Sequence, residues 1–447
     1  MPRRLIALLL TLLLSACAGS SLFQPYPARL APVKQAIERG DSGQALAQLK
    51  PGLEGADGLL YAQEAGRVAA LGGDPDASQG YYQLAMAEYN KYDWKAIVSL
   101  TDLTAQLGGA TVSDNLIPYH GQAYERVMLH QQQSLNYLWQ RDLEGALVEV
   151  RRADMAQTES LKAYQDALKS TKALSNAAVD AELTKLDTEA GKAPNSFINA
   201  YVLFSNAALY EANGQANDAL IDIRKALQVY PDNPVLRQEL VRLSCQLAID
   251  CDELSRRYGD PVRPENGQGR LVVLYEAGAL PARESIWIPF TWDGFYQQVA
   301  LPTYRSSGPA PAPLEFELAQ TRVRTEPVAD LDAMAARALH EQYPFILVRQ
   351  GIRLTAKHNA NRWADRKGGD LGAFTMEVFN AITEQADRRS WLTLPRQAQA
   401  WAGYLDAGDY DLSLDGQALS LTLAPGRTTL LWVARQGRLT RIQSILI

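Results

Sequence analysis

The chain has 447 residues, 47% of them hydrophobic, and its 44 basic and 50 acidic residues give a net charge of −6. At roughly 150 residues per domain, this length predicts two to three domains with packed cores. The acidic balance argues against nucleic-acid binding, which normally needs a clustered basic excess. Beyond the N-terminus no segment approaches the roughly 18 apolar residues of a membrane-spanning helix, so we expect the rest to be soluble.

The N-terminal segment has the pattern of a secretory signal. Arg3 and Arg4 precede the apolar run Leu5–Leu14, which is too short to remain as a membrane-spanning helix. The sequence Leu14-Ser15-Ala16-Cys17 then resembles the lipobox of bacterial lipoproteins, which are cleaved before the cysteine and acylated on it. We therefore expect residues 1–16 to be a signal peptide and residues 17–31 to be an acylated linker. Removing residues 1–16 takes away two arginines and no acids, so 42 basic and 50 acidic residues give −8.

Ala18 indicates in which membrane the protein is anchored. In the resembled lipoproteins, an Asp after the acylated cysteine usually retains the protein in the inner membrane, and this chain has Ala18 instead. The resemblance therefore implies a protein held by its acyl chains on the periplasmic face of the outer membrane. An ordinary signal peptide with a chance cysteine is the alternative.

Cys245 and Cys251 are the remaining cysteines. An oxidising compartment favours a disulfide between them. Six residues along a helix rise about 9 Å and turn by about 240°, so the bridge requires the helix to end between them. Two reduced cysteines are the alternative. The four histidines lack metal-ligand spacing, so we expect no metal and no cofactor.

Residues 32–260 predict a tetratricopeptide (TPR)-like array of paired helices, separated by short Gly, Pro and Asp clusters. Small residues recur at Ala45, Ser78, Ala146 and Ala219, with gaps of 33, 68 and 73 residues. The first two gaps are close to one and two repeats of 34 residues. The third gap is longer than two repeats, and its additional residues lie within 155–192. This segment predicts an elongated helical hairpin. An irregular helical bundle is the alternative.

Residues 261–447 are β-rich and predict a small antiparallel sandwich with helices inserted at about 330–388. The fold class is therefore α+β, an N-terminal TPR-like α-solenoid followed by a sandwich-like domain. The predicted helices are Asp330–Gln342, Pro344–Arg362 and Leu371–Gln385. The predicted strands are Leu271–Tyr275, Glu284–Phe290, Leu314–Arg324, Ser390–Leu394, Ala400–Leu405, Tyr410–Leu414, Ala418–Leu423, Thr428–Ala434 and Thr440–Ile447.

Two groups of residues are candidate binding surfaces. Arg349, Arg353 and Lys357 recur every four residues, which places them in a basic stripe on one helical face. Such a stripe suits an acidic partner, an anionic glycan or a lipid headgroup, although a solvated face is the more common outcome. Trp287 and Trp292 lie in an aromatic-rich segment that suits sugar or protein recognition, whereas core packing is its more common role.

Three segments resemble a family of Gram-negative envelope lipoproteins with TPR-like helices and a β-rich C-terminal region. They are Tyr275–Glu284 leading into Ile286–Pro289, the stripe Arg349–Lys357, and Asp387–Pro395. Members occur beside lipoproteins that activate peptidoglycan synthases, so the resemblance implies a role in the cell envelope. No activity is established for the family.

These features predict a lipid-anchored scaffold that binds protein partners in cell-wall or envelope assembly. The concave face of the helical array would form the binding groove. No catalytic constellation was found in the sequence, so we expect no enzymatic activity. Peptidoglycan is a second candidate partner, and the alternative function is a glycan-binding protein or enzyme that uses the β-rich domain.

Overall fold

The structure is a computed structural model that describes residues 24–91, 114–116, 118–170, 177–191, 193–292, 295–305, 308–351, 353–354 and 385–447. The expected signal peptide, Cys17 and Lys357 lie outside the described residues. The same holds for residues 371–384 of the third helix predicted in the β-rich half.

The described part of the N-terminal half is helical. Its helices are α1 (Tyr26–Arg29), α2 (Ala31–Arg39), α3 (Ser42–Leu49), α4 (Gly58–Gly72), α5 (Pro75–Lys91), α6 (Ala123–Trp139), α7 (Leu143–Ser170), α8 (Ala177–Ala190), α9 (Ala200–Ala212), α10 (Ala216–Val229), α11 (Pro234–Gln246) and α12 (Cys251–Tyr258). Neighbouring helices pack in pairs, α2 with α3, α4 with α5, α6 with α7, α9 with α10 and α11 with α12.

Helix boundaries follow from local chemistry. The side chains of Asp41, Asn199 and Asn233 precede α3, α9 and α11 and accept hydrogen bonds from N–H groups of the first turn. Gly40 and Gly73 follow α2 and α4 with φ of 86° and 82°, a left-handed conformation that glycine adopts without steric cost.

The small residues that predict the repeat register lie where paired helices pack together. Ala45, Ser78, Ala146 and Ala219 are each 0% exposed, and each lies on the second helix of its pair. Helices α7 and α8 occupy the segment predicted as an elongated hairpin, and α7 alone has 28 residues. The helical half is thus built from antiparallel pairs joined through small buried residues.

Residues 26–31 are not part of a linker. Tyr26 and Leu30 are 2% and 0% exposed, and the Tyr26 ring packs edge-on against Tyr61 at 5.8 Å between centroids. The expectation of a linker extending to residue 31 was therefore wrong at its C-terminal end, because α1 buries apolar side chains against α4.

A five-stranded mixed sheet forms the centre of the C-terminal half. The strands are β1 (Gln268–Ala277), β2 (Glu284–Trp292), β3 (Phe295–Thr303), β4 (Glu315–Leu318), β5 (Thr321–Arg324), β6 (Glu326–Asp330), β7 (Gln397–Asp406), β8 (Gly408–Leu414), β9 (Gln417–Leu423), β10 (Thr428–Gln436) and β11 (Leu439–Leu446). The central sheet has the order β11-β10-β1-β7-β6, with β1 parallel to β10 and antiparallel to β7. Three separate two-stranded ribbons are formed by β2–β3, β4–β5 and β8–β9.

The central sheet is covered on both faces. On β1, Val272 and Leu274 belong to the apolar core shared with the helices, whereas Leu271 and Val273 pack with the β4–β5 and β8–β9 ribbons. This two-sided burial explains why the strand reads as a continuous apolar run. The predicted antiparallel sandwich was wrong: the structure has helices, a mixed sheet and ribbons in three layers.

Three predicted elements differ from the structure. The described residues between 331 and 354 are helical and belong to helix α13, which continues through Pro344, so the predicted break there is absent. Residues 390–394, predicted as a strand, are irregular and buried. The single strand predicted over Leu314–Arg324 is the β4–β5 ribbon with its turn at Ala319 and Gln320, both at positive φ.

The helical and β-rich halves share one apolar core. It runs from Tyr26 in α1 to Leu439 in β11 and includes residues of α4, α6, α9 and the central sheet. Secondary structure changes type near residues 259–267, as the sequence predicts, but the buried core crosses that boundary.

Candidate functional site

Two carboxylates of the helical array bind a short segment of the β-rich half, residues 390–394, which we call the buried turn. Glu64 of α4 accepts hydrogen bonds from the N–H groups of Leu392 and Thr393, at 2.7 and 2.9 Å. Glu125 of α6 accepts one from the N–H of Trp391 at 2.8 Å. Three consecutive backbone donors are thus held by carboxylates from two helices.

Both carboxylates lie in fully buried surroundings. Burial raises the pKa of Glu64 to about 7, although the Thr393 and Leu392 hydrogen bonds act in the opposite direction. Burial also raises the pKa of Glu125, against the hydrogen bond that Tyr119 donates to it. Each carboxylate accepts hydrogen bonds from several N–H and O–H groups, and these bonds compensate part of the free-energy cost of removing the carboxylate from water.

An arginine next to the buried turn joins the same two halves. Arg389 forms ion pairs with Asp57 and Asp387, both at 2.8 Å, and its side chain is 4% exposed. Asp57 also pairs with Arg29 of α1 at 2.6 Å. The start of the helical array is therefore linked to the buried turn through shared charges.

A second polar cluster joins β1 to three helices. Arg67 of α4 forms an ion pair with Glu276 of β1, and both side chains are 0% exposed. Gln132 of α6 and Tyr201 of α9 donate to the same Glu276 carboxylate, at 2.8 and 2.7 Å. Because every one of these partners lies inside the protein, the cluster fixes the position of the sheet on the helices.

The inner helices of the array are therefore covered by the chain itself. In α4, α6 and α9 nearly all side chains are buried, between the outer helices on one side and the β-rich half on the other. The expectation that the concave face is an open binding groove was wrong for the described residues, because the buried turn and β1 occupy it.

The predicted basic stripe is not a solvent-exposed row. Arg353 is 1% exposed and donates to Asp114 at 2.8 Å, and Arg349 lies 3.4 Å from the same carboxylate. Burial alone would raise the pKa of Asp114, but these guanidinium groups lower it below its usual value. Arg349 and Arg353 therefore stabilise a buried acid rather than forming a docking surface, and Lys357 lies outside the described residues.

Of the two tryptophans of the predicted aromatic surface, Trp287 has a described side chain, and it is exposed. It lies on β2, and its side chain is 54% exposed. On the opposite face of the β2–β3 ribbon, Ile288, Val299 and Leu301 join the apolar core. Trp292 lies at the end of β2, and its side chain is outside the described residues.

Cys245 and Cys251 form a disulfide with a Cα–Cα distance of 4.5 Å. Helix α11 ends at Gln246 and α12 begins at Cys251. Ala248 and Asp250 between them have φ of 54° and 55°. This left-handed turn reverses the chain and brings together two cysteines that a continuous helix would keep apart.

The described residues contain no group of three or more His, Cys, Asp and Glu side chains that is placed to hold a metal ion. Within the same ranges, no helix has both the length and the apolar character needed to cross a membrane. Cys17, the expected acylation site, lies outside them.

Sequence reasoning missed Glu64, Arg67 and Glu125. A signal was present, because Glu64 and Arg67 are the charged residues of α4, a helix that is otherwise apolar apart from Gln63, and charged residues in such a setting are usually buried with partners. Their partners in Trp391–Thr393 and Glu276 are more than 200 residues away along the chain, so their identity was not predictable from local pattern.

Comparisons with known proteins give distant structural similarities only. A crystal structure of MamA aligns with a TM-score of 0.29 and 10% sequence identity over 51% of this chain and 90% of that chain. The assembly chaperone of RpL4 (Acl4), residues 1–338, aligns with a TM-score of 0.19 and 17% identity over 52% of this chain and 88% of that chain. No protein-family model matches the chain, and no curated protein matches it. Scores this low carry no functional argument, which therefore rests on the chain's own residues.

Proposed function

We propose that the protein is a non-enzymatic scaffold, anchored through acylated Cys17 to the periplasmic face of the outer membrane, that binds a protein partner through the β2–β3 ribbon. Cell-wall or envelope assembly is the setting that the sequence resemblance implies. The observation that carries the binding surface is the exposure of Trp287 on a ribbon whose other face is part of the core.

The outer face of the ribbon suits a protein partner. Trp287 is flanked on β2 by exposed Ser285 and Pro289, and Gln298 on β3 pairs with Pro289. These neighbours carry no charge, so a partner covering them removes no ionised group from water. Tryptophan is enriched among the residues that dominate protein interfaces, because a single rigid ring buries a large apolar area.

A glycan such as peptidoglycan is the second candidate ligand. An exposed tryptophan also stacks on sugar rings, so Trp287 alone is compatible with this alternative. The two hypotheses differ in whether the bound material is a protein or isolated cell wall.

The test compares wild type with Trp287→Ala and with Ile221→Ala, a control residue on α10 that is 50% exposed. After cross-linking in cells, we expect wild type and Ile221→Ala to recover the same protein partner. Trp287→Ala should bind that purified partner at least about tenfold more weakly, as expected for an interface hot spot. Equal binding by all three proteins would reject the ribbon surface. Cosedimentation with isolated peptidoglycan that only Trp287→Ala loses would establish the glycan alternative.

The anchor is tested separately with Cys17→Ser. We expect an unprocessed precursor without acyl label, because cleavage and acylation of the resembled lipoproteins both require the cysteine. Metabolic labelling with a palmitate analogue and membrane fractionation measure both effects. A Cys17→Ser protein that still fractionates as a mature outer-membrane lipoprotein contradicts the proposal.

A further inference from the structure

Strand β11 forms one edge of the central sheet. It pairs with β10, and no strand of the described residues pairs with its other side. At the end of this ladder the N–H of Ile447 donates to the carbonyl oxygen of Thr428 at 2.8 Å. Because the N–H and C=O groups of an antiparallel strand point alternately to its two sides, every second residue counted back from Ile447 directs them toward β10. The residues between, Ile442, Ser444 and Leu446, therefore direct theirs toward the free edge.

Two other hydrogen bonds support this assignment. The N–H of Gly278 donates to the carbonyl oxygen of Arg435 at 2.9 Å, so the odd-numbered residues of β10 face β1 and the even-numbered ones face β11. The side chain of Gln417 donates to the carbonyl oxygen of Thr440, which lies on the free edge by the same alternation. No hydrogen bond from within the described part of the chain reaches the outward groups of β11 beyond Thr440.

The opposite edge of the same sheet is protected, whereas this one is not. Strand β6 contains Pro327, has a register shift next to it and has charged residues at both ends. Proline, irregular pairing and charge are common means of preventing a further strand from adding to a sheet edge. From Ile442 to Leu446, β11 has none of these, and its pairing with β10 is regular. Ser444 and Leu446 also remain partly exposed, so this stretch can accept another strand.

Contacts with the rest of the protein lie at the start of β11. Thr440 donates to Asp415 in the turn of the β8–β9 ribbon and accepts from Gln417, and Arg441 lies against the end of α4. Ser444 is three residues further along, about 10 Å from Arg441. The stretch with unpaired backbone groups is therefore centred on Ser444.

We propose that β11 pairs with β11 of a second copy of this chain, antiparallel and about a two-fold axis at Ser444. The two Ser444 residues then face each other, and Ile442 of each copy lies opposite Leu446 of the other. Every outward N–H of this stretch meets an outward C=O, which makes the edge self-complementary.

The side chains suit the same arrangement. The stretch from Ile442 to Leu446 carries no charge, so no like charges oppose each other across the axis, and Ile442 and Leu446 form apolar cross-strand pairs. This self-complementarity favours a second copy over an unrelated strand. The edge is separate from the Trp287 surface, and the pairing does not depend on the partner proposed for that surface.

The first test is sedimentation equilibrium of the purified full chain in detergent over a range of concentrations. We expect a reversible dimer. Ser444→Lys places two like charges at the axis and should raise the dissociation constant at least about tenfold. Ser420→Lys is the matched control, because Ser420 is exposed on β9, and it should dimerise like wild type. A wild-type chain that stays monomeric, or a dimer that Ser444→Lys leaves unchanged, overturns self-pairing and leaves the edge to a strand of another protein.

The second test locates the axis with Ser444→Cys, and it decides the question if Ser444→Lys does not fold, because cysteine replaces only an oxygen with sulfur. Opposite residues of a hydrogen-bonded pair have Cα atoms about 5.5 Å apart, within the range of a disulfide. On oxidation with diamide, Ser444→Cys should form a disulfide-linked dimer at least about tenfold faster than Ser420→Cys, which reports random collisions. The wild-type chain controls for Cys17. Equal rates for the two variants contradict pairing at Ser444.

Discussion

Glu64 illustrates what burial does to a single ionisable side chain. Its surroundings include Tyr26 on α1, Lys34 on α2 and the backbone of the buried turn, and these groups only partly offset the cost of removing the carboxylate from water. The pKa in the folded protein is about 7, compared with 4.5 as the ordinary value. The folded state therefore binds a proton more tightly than the unfolded state at this residue.

This shift predicts a pH-dependent stability difference between wild type and Glu64→Gln. Because the folded pKa is raised, the contribution of Glu64 is fully present below pH 4.5 and is lost as the pH rises through 7. Relative to the variant, wild type should lose about 2 kcal/mol of unfolding free energy between pH 5.5 and pH 8. Urea unfolding of both proteins at the two pH values measures the change, and subtracting the variant removes the contribution of the histidines. A difference that is independent of pH would show that Glu64 titrates normally in the folded protein.

At the scale of elements, some strands were predictable from the local sequence pattern, whereas other segments were decided by contacts with distant residues. Strands β1 and β7–β11 carry apolar and β-branched residues between clear turn signals such as Asp415-Gly416, so their positions were predictable. Strand β6 contains Pro327, which local pattern treats as a break, and it is tolerated at the edge of the sheet. Residues 390–394 have strand-like composition, but their N–H groups bind carboxylates instead of a neighbouring strand. The competing partner lies in the helical half, and no local sequence rule reveals it.

The ion pair between α4 and β1 predicts how strongly these elements depend on each other. Arg67→Met leaves Glu276 buried without its cation, and breaking a buried pair in this way costs about 3–5 kcal/mol. Chemical denaturation should therefore show a clearly lower unfolding midpoint. Adding Glu276→Gln to Arg67→Met should cost less than the sum of the two single changes, because the unpaired charge is removed.

Two outcomes distinguish this interpretation from simple loss of packing. Arg322→Ala, which breaks an exposed ion pair on the β4–β5 ribbon, should leave the midpoint unchanged. Strictly additive effects of Arg67→Met and Glu276→Gln would contradict direct coupling between the two side chains.

At the scale of the whole molecule, the sequence predicted the order of the helical and β-rich halves along the chain but not the contacts that join them. Periodicity and small residues such as Ala146 and Ala219 report contacts within a helix pair, and these positions are buried as the pattern predicts. Contacts between the halves depend on side chains such as Arg67 and Glu276, which are 209 residues apart. The exposure of Trp287 was equally unpredictable, because strand periodicity does not say which face of a ribbon joins the core.

The burial of Tyr26 limits how far the folded protein can lie from the membrane. Tyr26 is nine positions after Cys17, with eight residues between them, and such a segment spans at most about 30 Å when fully extended. If Cys17 carries lipid as proposed, α1 stays within that radius of the bilayer surface and cannot follow a distant partner into the periplasm. A partner must come to the membrane, or extend to it, before it meets this protein.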